Sequence, residues 1–124
     1  MSEPRPVLLV EDNALNREML TRRLTRAGLR VIAAVDGEQA LALMASEHPA
    51  VVLMDMNLPV MDGWTACRHA RQDEMLRGIP IIALTAHATE ADRCNALAAG
   101  CDDYATKPID FPELLAKIER LRRA

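Results

Sequence analysis

Short apolar runs alternate along the chain with longer stretches in which apolar residues return every third or fourth position. Val7–Val10, Leu29–Val35, Val51–Met54 and Ile81–Leu84 are near-continuous runs, as expected of strands buried on both faces of a parallel sheet. Asp103–Thr106 is a shorter fifth candidate. Helical periodicity fills the gaps. In Ala14–Ala27 the residues Leu15, Met19, Leu20, Leu24 and Ala27 share that spacing, with Asn13 placed to cap the start and Gly28 to stop the end. Glu38–Glu47 carries Ala40, Leu41, Leu43 and Met44 on one side and stops before Pro49. Trp64–Arg77 is a helix candidate closed by Gly78 and Pro80. Thr89-Glu90-Ala91-Asp92 has the form of a capping box, and its helix runs to Gly100. Asp110-Phe111-Pro112-Glu113 opens the last helix, whose buried stripe is Leu114, Leu115, Ile118 and Leu121.

Strict alternation of strand and helix predicts an α/β fold with a parallel sheet covered on both faces. Right-handed crossovers make it a doubly wound sandwich of five strands and five helices. In such sheets ligands bind beyond the carboxyl ends of the strands, where the strand order reverses. The polar residues at those ends therefore carry the chemistry. Glu11-Asp12 follows the first run, Asp55 the third, Thr85 the fourth, and Lys107-Pro108 the fifth. Three carboxylates close together repel one another and call for a cation. Mg²⁺ suits such a set, because it takes oxygen ligands and often only one or two carboxylates. Asp12 and Asp55 are the candidate direct ligands, with the backbone carbonyl of Asn57. Glu11, with its longer reach, would act through a water or hold Asp12. Asp55 is the candidate nucleophile, since a carboxylate can accept a phosphoryl group. Lys107 is one of two lysines, the other being Lys117, in a chain that otherwise uses arginine. Its compact ammonium fits a point-charge role toward a phosphoryl oxygen. The Thr85 hydroxyl would serve another oxygen.

Composition narrows the classes. The 124 residues fit one domain, residues 1–124. Half are hydrophobic but only 2% are aromatic, so the core is built from aliphatic side chains and methionine. A net charge of -3 gives no footprint for nucleic acid. The longest apolar runs are strand-sized, far short of a membrane span. Residues Met1 to Pro6 lack the features of a secretory signal, so a cytoplasmic location is expected. Cys67, Cys94 and Cys101 are odd in number and lack C-x-x-C spacing, which predicts reduced thiols and no metal ligation by sulfur. His48 and His69 are expected at the surface. Met54, Met56 and Met61 are expected to pack beside the site, as is Trp64.

Glu11-Asp12, the stretch Asp55-Met56-Asn57-Leu58-Pro59-Val60-Met61-Asp62-Gly63, Leu84-Thr85-Ala86 and Lys107-Pro108 resemble the receiver domain of two-component response regulators. The resemblance runs in order from Val7 to Leu121. It implies a flavodoxin-like sheet with strand order 2-1-3-4-5. It implies a phosphoacceptor in a bacterial-type two-component system or phosphorelay, taking a phosphoryl group onto Asp55 with Mg²⁺ from the phosphohistidine of a histidine kinase or phosphotransfer protein. It implies a switch pair, Thr85 and Tyr104, and a cis peptide before Pro108. Asn57 and His87, two residues after Asp55 and Thr85, are the positions that would tune the phosphoryl lifetime.

The same resemblance puts the phosphodonor against the first helix, at Leu15, Met19 and their arginine neighbours. It puts the changed surface, which a downstream protein would read, around Glu90–Ala99, the fifth strand and the last helix. The chain reads as a stand-alone receiver, with the receiver segment of a hybrid histidine kinase as the alternative. Neither a nucleic acid nor a membrane is an expected partner. A phosphatase using an aspartyl nucleophile is the rival from another class. It commonly needs a second carboxylate two residues after the nucleophile, and Asn57 cannot protonate a leaving group. The expected chain is therefore no enzyme, although it would assist its own phosphorylation and dephosphorylation.

Overall fold

The computed structural model describes residues 5–86 and 89–122. Ten elements alternate: β1 (Val7–Val10), α1 (Ala14–Arg26), β2 (Val31–Ala34), α2 (Gly37–Glu47), β3 (Val51–Asp55), α3 (Gly63–Gln72), β4 (Ile81–Thr85), α4 (Glu90–Ala98), β5 (Asp103–Thr106) and α5 (Phe111–Arg122). The five strands form one parallel sheet in the order β2-β1-β3-β4-β5. The chain leaves β1 for the edge at β2 and returns past β1 to β3, so the order reverses between β1 and β3. Val10 pairs with Met54, and Asp55 with Leu84. That register brings the residues following β1 beside the end of β3.

The sheet separates two apolar layers. Leu8, Val10, Val52, Met54, Ile81 and Ala83 face the layer that includes Ala40 and Met44 of α2, Ala66, Cys67 and Ala70 of α3, and Ala96 of α4. Val7, Leu9, Val51, Leu53, Ile82 and Leu84 face Leu24 of α1 and Leu114 and Ile118 of α5. Neighbouring strand residues point to opposite layers, which is why β1, β3 and β4 are apolar at nearly every position. β2 is an edge strand with Ala33 exposed, and it is shorter than the Leu29–Val35 run predicts.

The caps fall where the sequence placed them. The Asn13 side chain accepts the Asn16 N–H at 2.9 Å, Thr89 accepts that of Asp92 at 3.1 Å, and Asp110 that of Glu113 at 3.1 Å. α3 differs from its prediction. It stops at Gln72, not Arg77, because Asp73 adopts an extended conformation and its carboxylate caps the following turn at Met75. The Arg71 guanidinium binds the carbonyls of Arg77 and Ile79 at 2.9 and 2.8 Å and fixes that turn against the helix. Leu76 and Ile79 are thereby buried although they lie outside any helix.

Candidate functional site

The strand ends converge on one acidic pocket. Glu11 directly follows β1, and its N–H donates to Ala34 O at 3.0 Å, extending the sheet by one residue. Asp55 is the last residue of β3, and Thr85 the last of β4. Lys107 follows β5, and its N–H donates to Thr85 O at 2.8 Å. Backbone pairing thus sets the depth of each side chain. Glu11 and Asp55 are each 5% exposed and Thr85 is 8% exposed, whereas Asp12 is open to solvent.

The loop after β3 is held by close backbone packing. Gly63 opens α3 so near to β3 that a Cβ there would sit 2.5 Å from Asp55 O and 2.8 Å from Met56 Cα. Only glycine permits this approach. Its N–H donates to Met56 O at 3.2 Å, and the Asp62 side chain caps the helix at Thr65 N–H, 2.8 Å away.

One lysine joins the two buried acids. Lys107 Nζ lies 2.8 Å from Asp55 Oδ2 and 3.5 Å from Glu11 Oε2. The other Asp55 oxygen accepts the Asn57 N–H at 2.9 Å, and Glu11 Oε1 accepts the Asn13 N–H at 3.3 Å. Burial raises the pKa of Asp55, but hydrogen bonds from Glu11, Lys107 and the Asn57 amide, with the lysine charge, outweigh it and hold the carboxyl below its ordinary value. Glu11 moves up, through burial first and then through the neighbouring Asp55. Lys107 also moves up, because the two carboxylates overcome the effect of burial. The stable arrangement is therefore a charged Asp55–Lys107 pair beside a Glu11 that gives up its proton reluctantly.

Glu11, Asp12 and Asp55 can each offer an oxygen to a common point, with these atoms within 4.8 Å of one another. The donor set is all oxygen and anionic, which fits Mg²⁺ and not a thiophilic metal. Glu11 engages the Asn13 N–H and Lys107. The cavity over Asp55 is lined by Asp12, Asn57, Asp62, Trp64, Thr85, Asp92 and Lys107.

Tyr104 lies on β5, half-buried, with Arg93 of α4 5.8 Å and Lys117 of α5 5.1 Å from its ring centroid. His87 lies outside the described residues. Leu15 and Met19 are 65% and 57% exposed, on the solvent side of α1. His48 and His69 are exposed, and Cys67 and Cys101 are buried with Cys94 exposed. The peptide before Pro108 is cis. Sequence reasoning missed Arg17, whose Nη1 donates to the carbonyls of Glu11 and Asp12 at 3.0 and 3.3 Å and fixes the acidic pair from α1. It also missed Asp92 in the cavity wall. A capping role was the only signal at that position, and the placement of α4 adds the second.

A lysine-bridged acidic pocket at the switch point of a 2-1-3-4-5 sheet defines a class of signalling domain. The chain belongs to the response regulator receiver domain family, whose model matches residues 7–119. It is a receiver domain of two-component systems. The chain is 36% identical over 117 residues to the DNA-binding dual master transcriptional regulator RpaA of Synechocystis, covering 94% of this chain and 48% of that protein. Among solved structures it resembles the receiver domain of the sensor histidine kinase PA1611 from Pseudomonas aeruginosa, which has magnesium coordinated in its active-site cleft. That match has 40% identity and a TM-score of 0.90, and covers 98% of this chain and 100% of the other. It also resembles a chain of the Saccharomyces cerevisiae complex between the histidine phosphotransfer protein Ypd1 and the receiver domain of Ssk1. Here identity is 31%, the TM-score is 0.87, and coverage is 98% and 91%. The chain spans about half the length of the first curated relatives that it matches. No helix among the described residues is long and apolar enough to cross a membrane.

Proposed function

We propose that Asp55 takes a phosphoryl group from a phosphohistidine on a histidine kinase or phosphotransfer protein, and that this changes the α4–β5–α5 surface. The observation that carries the reading is the environment of Asp55: a buried carboxylate, held charged by Lys107, at the floor of a cavity open to an incoming donor. Asp55 keeps a lone pair available because its pKa stays low. Lys107 moves its charge from the free carboxylate to the phosphoryl oxygens as they arrive, so positioning and neutralisation need little rearrangement. Asp12, Asp55 and the Asn57 carbonyl would hold Mg²⁺, with Glu11 behind them. A bound Mg²⁺ supplies positive charge to the phosphoryl oxygens. Thr85, beside the cavity, would turn its hydroxyl to the new phosphoryl group. Tyr104 would then move into the space released, a packing change set off by a local charge change. Asn57 and His87 would govern the approach of water to phosphorus.

The chain is a phosphoacceptor in this reading, with no substrate turned over. Phosphotransfer from protein to protein explains the exposed Leu15 and Met19, which would dock the donor. Transfer from a phosphohistidine protein and from acetyl phosphate should be timed for Leu15→Ala with Met19→Ala. Slower transfer from the protein with an unchanged acetyl phosphate rate supports the docking face. Equal rates with the protein donor would remove it. A second reading, that these residues are the receiver segment of a hybrid kinase, is favoured by the likeness to the PA1611 receiver. Acidity leaves nucleic acid out of the reading of these residues alone, whatever longer relatives bind.

A further inference from the structure

Away from the acidic pocket, two thiols stand in contact. Cys67, within α3, and Cys101, in the turn between α4 and β5, have sulfur atoms 3.5 Å apart. They are 34 residues apart in sequence, so only the fold brings them together. Both are buried.

The surroundings hold both cysteines in place. Arg71, one turn along α3 from Cys67, donates Nε–H to Gly100 O at 2.7 Å and Nη2–H to the Asp102 carboxylate at 2.7 Å. The residues on either side of Cys101 are thus tied to the helix that carries Cys67. Asp102 also accepts the Ile81 N–H at 2.8 Å, and the Cys101 N–H donates to Ala96 O at 3.1 Å. A disulfide needs sulfurs about 2.05 Å apart, an approach of roughly 1.5 Å that side-chain rotation can supply between such near neighbours. The thiols also differ. The hydrogen bond with Cys101 lowers the Cys67 pKa against the effect of burial, helped by the Arg71 charge, while the same contact and burial push the Cys101 thiol up.

We propose that Cys67 and Cys101 are a disulfide-forming pair, oxidised by hydrogen peroxide, whose cross-link ties α3 to the α4–β5 turn. The Cys67 thiolate attacks one peroxide oxygen. The O–O bond breaks, and the departing hydroxide takes a proton and leaves as water. Cys67 is then a sulfenic acid. Cys101 loses its proton and attacks the Cys67 sulfur. The S–O bond breaks, and the released hydroxide takes up that proton as a second water. Two thiols and one peroxide thus become one disulfide and two waters. Burial selects a small oxidant, while bulky thiol reagents meet the exposed Cys94 first. The cross-link closes a loop that contains β4 and α4, and so spans Thr85 and ends three residues before Tyr104.

The test uses the full chain with Cys94→Ser, a change at an exposed position. It is treated with hydrogen peroxide, unfolded without reductant, alkylated and weighed intact. The proposal expects a loss of two hydrogen atoms, no alkylation at either remaining cysteine, a cross-linked peptide joining Cys67 to Cys101, and full reversal by dithiothreitol. Cys67→Ala and Cys101→Ala in the same background should each abolish that loss. Two alkylatable thiols after treatment, or oxygen adducts on either cysteine without a cross-linked peptide, would overturn it. None of these readouts depends on phosphorylation at Asp55.

Discussion

Replacing Lys107 by methionine keeps a side chain of similar length but removes the charge between Asp55 and Glu11. The structure sets the scale of the loss. At an effective dielectric constant of about 20, unit charges at the 2.8 Å between Lys107 and Asp55 attract by about 6 kcal/mol before desolvation, with a smaller addition from Glu11, 3.5 Å away. Desolvating the ammonium and the carboxylates cancels most of this, and the lysine is about one-third exposed, so a net cost of about 2–3 kcal/mol is expected at neutral pH. The sign with pH follows. In the parent, Asp55 has a lowered pKa, so its contribution is present above the ordinary Asp value and lost as pH falls through the lowered one. In Lys107→Met the lysine no longer lowers either carboxyl, so both stand higher than in the parent. The folded variant then binds more protons than the folded parent and loses stability relative to it as pH rises through that range. The deficit should therefore be largest near pH 7 and shrink toward pH 4. Magnesium should shrink it too, because a second cation takes over the neutralisation. Urea unfolding at both pH values, with and without 10 mM-scale Mg²⁺ (about the level that saturates a weak site), measures the gap. A deficit that is the same under all four conditions would mean that Lys107 acts by packing and that the charge argument is wrong.

Asp12→Asn should weaken Mg²⁺ binding by about tenfold or more, as expected for an altered metal ligand. Quenching of Trp64, which lines the cavity, reads the affinity, and an unchanged titration would remove Asp12 from the ligand set. Thr85→Ala should leave phosphoryl uptake measurable but uncouple it from the environment of Tyr104. The Tyr104 ring resonances checked before and after phosphorylation should then stay in place. Arg71→Met should lower stability by about 2–4 kcal/mol in urea, because it removes the donor to the carbonyls of Gly100, Arg77 and Ile79 and one of the donors to the Asp102 carboxylate, which keeps the Ile81 N–H. A loss below about 0.5 kcal/mol, the size typical of a surface change, would refute that account.

The strand ends were readable because each apolar run stops at a polar residue that a buried strand would not otherwise carry. Glu11, Asp55, Thr85 and Lys107 are legible for that reason, and the parallel order places them together. Caps were legible where the side chain serves its own helix, as Asn13, Thr89 and Asp110 do. What escaped depends on partners distant in the chain. The end of α3 at Gln72 follows from the Asp73 conformation and from Arg71 binding carbonyls outside the helix. The hold of Arg17 on the acidic pair is made to backbone atoms, which sequence does not distinguish. The contact between Cys67 and Cys101 joins α3 to a turn beyond α4, and their spacing has no motif.

The central claim is that Asp55 accepts the phosphoryl group in a site that requires a divalent cation. Its most direct test is the intact mass of the chain after incubation with acetyl phosphate, with Mg²⁺ and with EDTA, beside Asp55→Asn. One phosphoryl adduct that forms only with Mg²⁺ and is absent from the variant is the predicted result. An adduct that survives in Asp55→Asn, or none under any condition, would contradict it.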